Sequence, residues 1–521
     1  MSNCPNTWLE IKLSGVADLI RGVTYKKEKS ADAPRQGLLP VLRATNITGS
    51  KLTFNALVYV PAENISDEQH LLPGDGVIAS SSGSKEIVGK AGTFGGGSFV
   101  GSFGAFCTGL RPSAALSSDY FGYYFQTLSY RKSVSELSAG SNINNLKTDD
   151  LASQRFPLPP ASEQTRIAAK LEELLSDLDA GVAELKAAQN KLKQYRQSLL
   201  KAAVEGALTA EWRKQNTPLE TGAQLLARIL TERRARWQAK QLAKFKEQGK
   251  TPPKDWKEKY TEPVQPDTTE LPELPAGWVW ASIEQIASDE RYSLSIGPFG
   301  SNLKVPDYRD VGVPLVFVRN IRSGKYGATY TKYVTPEKAA ELGAHSIAAG
   351  DVLVTKMGEP PGDADVYPND QPPAVITADC IKIRCCTGLM NPQLLKTAIN
   401  SHIGQRQIEP MTQGVAQKKV SLGRFTSLAV PVPSADEQTL IVRAVAVADS
   451  EAVEQQAAIA HALKQSTAQR QNILRAAFAG QLVPQDPKDE PASVLLARIR
   501  AERASAAGVK TPRRHKPQQA A

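Results

Sequence analysis

Two stretches of this chain are copies of each other, and the duplication constrains its fold more than any other feature. PLPPASEQTRI at 157–167 returns as PVPSADEQTLI at 431–441, at an offset of 274 residues. QSLLKAAVEGAL at 197–208 matches QNILRAAFAGQL at 471–482 at the same offset, so about fifty residues align without a gap. The chain is therefore expected to consist of two halves built on one plan.

Each copy has the pattern of a long amphipathic helix. In the first copy, apolar residues recur at alternating spacings of three and four, as in a coiled-coil seam. They are Ile167, Leu171, Leu174, Leu178, Leu185, Leu192, Tyr195 and Leu199, with Gly181 and Ala188 at the two remaining seam positions. The second copy keeps Ile441 and Val445 but has alanine at several seam positions, which favours close packing of the two helices. Ser434 and Glu437 have the spacing of a capping box at the start of the second helix.

The segments that precede the two helices correspond only faintly. Trp8 matches Trp278, TNI at 45–47 matches RNI at 319–321, and a Gly-Asp pair occurs at 74–75 and at 350–351. Short β-rich runs alternate there with Gly and Pro turns and with helical stretches such as 119–138 and 391–407. We expect an α+β fold with two globular domains, each followed by a long helix.

Most of the excess positive charge lies outside the globular domains. The chain holds 63 Lys and Arg against 53 Asp and Glu, a net charge of +10. Residues 231–260 contain ten basic and four acidic residues, and residues 498–521 contain seven and one, so each segment carries +6. The globular segments are close to neutral. Their electrostatic contacts with a nucleic acid therefore have to be confined to local basic sites or supplemented by a partner protein.

No catalytic motif is complete in this chain. GSKEIVGKAG at 83–92 lacks the spacing and the hydroxyl residue of a phosphate-binding loop. NPQL at 391–394 lacks the second proline and the aromatic residue of the methyltransferase motif that holds a flipped base. The five histidines are scattered, and the cysteines lack the spacing of a zinc site. We expect neither an active site nor a metal site.

The composition is that of a soluble globular protein. No stretch approaches the roughly 18 consecutive apolar residues that a membrane span requires. The amino terminus lacks the basic region and apolar run of a secretory signal, and five irregularly spaced cysteines argue against a disulfide framework. These features predict a cytoplasmic protein with no membrane partner.

The duplicated proline-rich segments carry a resemblance to a known family. PLPPASEQTRI and PVPSADEQTLI resemble the entry into the conserved helices of the specificity subunit of type I restriction-modification enzymes. GPFGSNLK at 297–304, the two Gly-Asp pairs and GVAQKKVS at 414–421 resemble that family's target recognition domains. The resemblance covers essentially the whole chain, in the order recognition domain, helix, recognition domain, helix.

The resemblance implies a division of the chain into six parts. These are target recognition domain 1 at 1–156, spacer helix 1 at 157–209, a basic helical insert at 210–269, target recognition domain 2 at 270–430, spacer helix 2 at 431–483, and a basic C-terminal helix and tail at 484–521. The two helices are expected to form an antiparallel coiled coil that separates the two domains. The long insert departs from the usual family pattern, and its basic segments could bind DNA or partner subunits, or be solvated linkers.

The resemblance also implies a function. Each domain would enter the major groove of one half-site of double-stranded DNA, so that the chain recognises a bipartite, asymmetric target. The helices would dock two copies of a modification (methyltransferase) subunit, and restriction (motor-nuclease) subunits would complete the complex. S-adenosylmethionine would be used by the modification subunits, and ATP with Mg²⁺ by the restriction subunits. This chain would bind no cofactor and catalyse nothing by itself.

Candidate contact residues follow from the chemistry of base edges, which are read by Arg, Lys, Asn, Gln, Ser and Thr at loop tips. In the first domain we expect contacts from Ser80, Ser81, Ser84, Lys85, Lys90, Asn142 and Asn144. In the second domain we expect contacts from Asn302, Lys304, Arg319, Lys356, Gln413, Gln417 and Lys418.

Two other functions compete with this interpretation. One is a coiled-coil scaffold for protein assembly that no longer reads DNA, which the near-neutral globular domains would suit. The other is a DNA-modifying enzyme with an unrecognised active site, against which the missing motifs count.

Overall fold

The computed structural model describes residues 5–138, 144–321, 326–327, 329–414 and 418–508. These residues form two compact units. Unit 1 comprises the described residues within 1–186 and 460–521, and unit 2 comprises those within 187–459. The division falls inside both long helices, so each unit contains one globular domain and a part of each helix.

The helices include the two long copies that the duplication predicts. They are α1 (Ser118–Tyr124), α2 (Leu128–Leu137), α3 (Thr148–Ala152), α4 (Ala161–Val204), α5 (Ala210–Gln215), α6 (Gly222–Glu247), α7 (Ile283–Ile286), α8 (Val318–Ile321), α9 (Pro336–Glu341), α10 (Pro392–Asn400), α11 (His402–Met411), α12 (Leu422–Phe425), α13 (Ala435–Phe478) and α14 (Ala492–Gly508). Helices α4 and α13 have 44 residues each, which corresponds to about 66 Å.

Short strands build the globular domain of unit 1. They are β1 (Leu9–Lys12), β2 (Ala17–Arg21), β3 (Leu38–Leu42), β4 (Ile47–Thr48), β5 (Lys51–Leu52), β6 (Val58–Pro61), β7 (Gly76–Ala79), β8 (Ser81–Ser82), β9 (Ala91–Thr93), β10 (Ser102–Phe103), β11 (Cys107–Pro112), β12 (Asn144–Asn145) and β13 (Arg155–Leu158). The largest sheet has the order β2-β11-β7-β9-β5-β4, and a second sheet has the order β10-β3-β6.

Unit 2 has a related set of strands. They are β14 (Val279–Ser282), β15 (Leu294–Ile296), β16 (Val313–Val316), β17 (Tyr333–Val334), β18 (Ser346–Ile347), β19 (Val352–Thr355), β20 (Ala364–Val366), β21 (Ala374–Ile376), β22 (Cys380–Ile383), β23 (Thr412–Gln413), β24 (Lys419–Val420) and β25 (Ala429–Val432). The two main sheets have the orders β15-β22-β19-β20 and β17-β16-β21-β18. The predicted α+β class is confirmed.

In each domain, the strand that enters pairs with the strand that leaves. β1 is antiparallel to β13, with Leu9 opposite Leu158. β14 is antiparallel to β25, with Val279 opposite Val432. Because β13 and β25 lead directly into α4 and α13, this pairing brings the first strand of each domain to the start of a long helix.

The long helices are antiparallel and belong to the cores of both units. In unit 1, Ile167 and Leu171 of α4 share a buried cluster with Leu474 and Ala477 of α13. In unit 2, Val204 near the end of α4 lies in the same buried cluster as residues from the start of α13. Within each unit, one helix therefore begins where the other ends. The predicted pair of antiparallel helices is confirmed.

Two details of the helices differ from the sequence-based expectation. Tyr195 lies on the predicted stripe but is half exposed. Leu175 lies off the stripe but is buried, since α4 packs against the globular domain as well as against α13. The predicted capping box is wrong. The Ser434 hydroxyl is buried without a hydrogen-bond partner among the described residues, and the Glu437 carboxylate bonds to the Trp278 indole.

None of the described helices combines the length and the apolar character that a membrane span needs.

Candidate nucleic-acid interface

Several strands of unit 2 begin or end at one edge of its sheets. β19 ends at Thr355, where its antiparallel neighbour β22 starts at Cys380. β15 ends at Ile296, opposite Ile381 of the same neighbour. The Val316 carbonyl at the end of β16 accepts a hydrogen bond of 3.0 Å from the Thr377 amide. We call the segments that meet there the second loop edge: residues 297–312, 317–321, 356–363, 377–379 and the described residues of the β23–β24 hairpin.

Lys356 ties three segments of this edge together. Its amide donates to the Asp379 carbonyl at 2.7 Å, and its own carbonyl accepts from the Val420 amide at 3.0 Å. Its ammonium lies 3.3 Å from the carbonyl oxygen of Ala378. The side chain is half-buried, so Lys356 supports the edge through its backbone and presents one cation within it.

The β23–β24 hairpin carries two more of the expected contact residues. The Lys418 ammonium lies 3.1 Å from a Glu359 carboxylate oxygen. Gln413 is exposed, and with its amide oxygen turned toward Arg424 it accepts hydrogen bonds of 2.7 and 3.0 Å from the guanidinium. Gln417 lies outside the described residues.

The segment Gly297–Gly312 is anchored in the domain but exposes its tip. A Cβ at Gly297 would lie 2.0 Å from the Thr377 carbonyl oxygen, so any side chain there would collide with backbone. Leu303 is buried and packs with Leu315 of β16. Asn302 and Lys304, on either side of it, are exposed. The sequence-predicted polar residues therefore stand on a fixed loop.

Arg319 lies on α8, directly after β16. Its guanidinium carbon is 4.5 Å from the centre of the Phe317 ring. The guanidinium also donates a hydrogen bond to the Thr331 hydroxyl. The side chain is exposed, and no ion pair joins it to a described carboxylate. The second loop edge thus brings together six of the predicted contact residues, and among them the Arg319 guanidinium has no described carboxylate as an ion-pair partner.

Unit 1 has a corresponding first loop edge. It consists of residues 22–37, 43–46, 80–90, 104–106 and the paired strands β8 and β12. The amides of Ser80 and Ser81, after β7, donate to the Phe106 carbonyl at 2.8 and 3.2 Å. Asn144 of β12 lies opposite Ser82 of β8 in the antiparallel pair. In unit 2, the hydrogen bond from the Lys356 amide to the Asp379 carbonyl and the antiparallel bridge between Met357 and Lys419 repeat this pattern.

The predicted contact residues of the first domain differ in how far their side chains are exposed to solvent. Ser84 and Lys85 are exposed, whereas Ser81, Lys90 and Asn144 are half-buried. Ser80 is buried, and its hydroxyl is hydrogen-bonded to that of Thr108. Its side chain therefore faces the domain interior. Asn142 lies outside the described residues.

Sequence reasoning missed a loop of the first edge, residues 22–37. A Cβ at Gly22 would lie 2.0 Å from the Gly104 carbonyl oxygen, the same constraint as at Gly297. Gly22 and Gly37 map onto Gly297 and Gly312 at one offset of 275. Lys26, Lys27 and Lys29 are exposed in this loop, and none of them forms an ion pair with a described residue. Only the offset could have revealed the correspondence, because the two loops share almost no other residues.

The Gly-Asp pairs lie at the opposite ends of these strands and have a structural role. Asp75 accepts from the Leu72 amide at 2.8 Å and forms a two-bond ion pair with Arg111 at 2.7 and 3.0 Å. Asp351 likewise accepts from the Ala348 amide and pairs with Arg384 at 2.8 Å through two bonds. These ion pairs hold β7 to β11 and β19 to β22.

The thiol at the second edge is not arranged as a nucleophile. Cys380 is buried at the start of β22. Burial raises the pKa of this thiol to about 12, so it stays protonated at neutral pH. The described residues also contain no group of His, Cys, Asp and Glu placed to hold a metal ion.

Comparisons with known proteins agree with this arrangement. Residues 5–191 match the family model described as the type I restriction modification DNA specificity domain. The chain is 29% identical over 524 residues to the EcoKI specificity subunit of Escherichia coli K12, covering 98% of both chains. It is 41% identical over 213 residues to the StySPI specificity subunit of Salmonella potsdam, covering 41% of this chain and 46% of that subunit.

A solved structure shows the same fold. A chain from a study of complex assembly in a type I restriction-modification system superposes with a TM-score of 0.61 at 14% sequence identity, over 92% of this chain and 99% of that one. Matches of this kind extend over both globular domains and both long helices. The chain thus carries the type I restriction modification DNA specificity domain at residues 5–191, and over its length it is similar to specificity subunits of type I restriction-modification enzymes.

Proposed function

We propose that this chain reads a bipartite, asymmetric DNA target and directs methylation and cleavage by its partner subunits. The observation that carries the proposal is the pair of loop edges. The two edges have the same backbone arrangement but present different side chains: three unpaired lysines after Gly22, and Asn302 with Lys304 after Gly297. Equivalent surfaces with different side chains are suited to two different half-sites.

The loop edges suit readout of bases in the major groove. Lysines on loops contact phosphates and position the protein, whereas Asn, Gln and Arg distinguish bases through paired hydrogen bonds. Both edges contain groups of each kind. The loops are fixed by buried residues and by backbone contacts at their glycines, which lowers the entropy lost on binding.

The duplicated helices are the proposed spacer and docking surface. Their sequences align without a gap over about fifty residues at an offset of 274. A repeated surface of this kind suits two copies of one modification subunit, with restriction subunits completing the complex. The length of the helix pair would then set the gap between the half-sites.

We assign the chemistry to those partners. S-adenosylmethionine would be bound by the modification subunits, and ATP with Mg²⁺ by the restriction subunits, since the sequence of this chain lacks the motifs for either. The chain itself would be non-catalytic and would work in the cytoplasm, where the host DNA lies.

The proposal is tested by mapping methylated adenines genome-wide in the host with and without this gene. Loss of one bipartite, asymmetric motif on deletion, and its return on complementation, is the expected result. An unchanged map in a host that expresses the modification subunit would contradict it.

A further inference from the structure

One position is followed by an equivalent buried asparagine in both loop edges but carries a different side chain in each. Asn46 is buried; its Oδ1 accepts from the Arg43 amide at 2.9 Å and its Nδ2 donates to the Asn55 carbonyl at 2.8 Å. Asn320 is buried in the same way, accepting from the Phe317 amide at 2.9 Å and donating to a carbonyl at 2.8 Å. These two asparagines match at the offset of 274. They fix the backbone of the residue that precedes each of them.

The residues fixed in this way are Thr45 and Arg319. Both are exposed, although the asparagine that follows each one is 2% exposed. A common support that holds a different exposed side chain in each half is the arrangement expected at a position where two half-sites are distinguished.

Arg319 is already oriented. Its guanidinium stacks over the Phe317 ring at 4.5 Å and bonds to the Thr331 hydroxyl. An ordered guanidinium loses less conformational entropy when it binds than a free side chain does. Without a described carboxylate in ion-pair contact, the cation does not have to be released from an internal partner first.

We infer that position 45/319 is a base-reading position and that Arg319 reads a guanine of the second half-site, with Phe317 as its positioning residue. The inference rests on the proposed function. A guanidinium donates two parallel hydrogen bonds to guanine N7 and O6, the commonest specific contact in the major groove. Lysine keeps the charge but cannot reproduce both bonds in that geometry.

The test uses the chain in complex with its modification subunit and the target duplex obtained from the methylation map. Each guanine of the second half-site is replaced in turn by 7-deazaguanine, which lacks the N7 acceptor. We expect one replacement to weaken binding by the wild-type complex about 10-fold or more. We expect Arg319→Lys to weaken binding to the normal target by a similar factor and to be insensitive to that same replacement.

Arg291→Lys is the matched control. The Arg291 guanidinium is also exposed and also lies 4.5 Å from the centre of an aromatic ring, that of Tyr292. It precedes β15 at Leu294, and so lies at the end of that strand remote from Ile296 and the second loop edge. This variant should bind like the wild type and keep the full sensitivity to 7-deazaguanine.

Phe317→Leu tests the positioning role. It should weaken binding to the normal target, and it should have little further effect when Arg319 is already lysine. A merely structural role of the ring would instead weaken binding equally in both backgrounds. The retained amount of modification subunit on purification reports whether each variant is folded.

Three results would overturn the inference: a second half-site without a G·C pair, an Arg319→Lys complex that binds normally, or one that is weakened yet as sensitive as the wild type to every 7-deazaguanine. The last result would indicate a phosphate contact. Failure of the proposed function looks different, because the wild-type complex would then not prefer the target to a scrambled duplex.

Discussion

The indole of Trp8 donates a hydrogen bond of 2.9 Å to Oε2 of the Glu163 carboxylate. Trp278 and Glu437 repeat this bond at 2.7 Å in the other unit. In both places a tryptophan at the start of a globular domain is fixed to the first turn of a long helix. The duplicated glutamate therefore connects each globular domain to the helix that follows it, which explains why the EQT segment at 163–165 and 437–439 is shared while the domains have diverged.

The two glutamates have different further partners. Glu437 accepts from the Thr209 hydroxyl at 2.6 Å and is paired with Arg213. No arginine among the described residues forms an ion pair with Glu163, which accepts from the Gln485 side-chain amide instead. Burial raises the pKa of Glu163 above its ordinary value, while its bonds to Trp8 and Gln485 oppose that shift.

The first prediction concerns pH and the Glu163 carboxyl. Because its pKa in the folded chain is raised, protonation favours folding. This stabilisation of the folded chain is complete at pH values below the ordinary carboxyl pKa of 4.5. It is lost as the pH rises through the pKa that Glu163 has in the folded chain. Glu163→Gln has no titrating group, so its stability relative to the wild type should improve as the pH is raised from 4 to 7. Chemical denaturation of both chains across this range measures the difference.

Asp489→Asn is the contrasting variant for that experiment. The hydrogen bond and ion pair with Arg166 lower the pKa of Asp489. The ionised Asp489 therefore stabilises the folded chain at pH values above its ordinary pKa, and this stabilisation is lost as the pH falls. Asp489→Asn should consequently be most destabilising at neutral pH. If both variants followed the same pH trend, the assignment of the two carboxyl groups would be wrong.

The second prediction concerns the glycine at the end of α13. Gly480 has φ +70°, and a Cβ there would lie 2.3 Å from Cγ of Pro5 and 3.3 Å from the Trp8 ring. Gly480→Ala should destabilise unit 1 by about 2 kcal/mol, from the left-handed backbone and from displacement of the tryptophan. Thermal and chemical unfolding give this value directly.

Gly181→Ala is the control for this substitution. Gly181 lies inside α4, and a Cβ there would meet nothing within 4 Å. Alanine should stabilise the helix by about 0.5–1 kcal/mol. Equal destabilisation by the two substitutions would show that the position of Gly480 against Trp8 has no special role.

The sequence predicts the repeated parts of this molecule better than the divergent parts. Helices α4 and α13 could be predicted because a seam of apolar residues is a local pattern, repeated at one offset. The capping box at Ser434 could not be excluded, because the competing partner of Glu437, Trp278, is 159 residues away along the chain. The inward orientation of Ser80 depends on Thr108 of another strand in the same way.

The third prediction concerns the loop that the sequence did not identify. Replacing Lys26, Lys27 and Lys29 together with glutamine should weaken binding to the target and to unrelated DNA alike. The slope of log affinity against log salt should fall in magnitude by about 2 to 3, because each lost phosphate contact removes roughly one counterion. Binding titrations at several salt concentrations measure the slope.

A matched triple substitution can be made elsewhere in the first domain. Lys12, Lys51 and Lys132 are exposed there and lie outside both loop edges and both long helices. Their replacement with glutamine removes the same charge and should leave the salt slope close to that of the wild type. Equal slopes for the two triple variants would rule out a specific contribution from the loop 22–37.

The central claim is that each globular domain reads its own half-site from an equivalent position on the helices. It is tested most directly by an adenine methylation map from a host whose only copy of this gene has residues 5–160 replaced by a second copy of residues 275–434. The equivalent Trp8–Glu163 and Trp278–Glu437 bonds allow this exchange. The account predicts a symmetric motif, made of the second half-site and its inverted repeat across the original gap. Retention of the original asymmetric motif, or a motif unrelated to the second half-site, would contradict it.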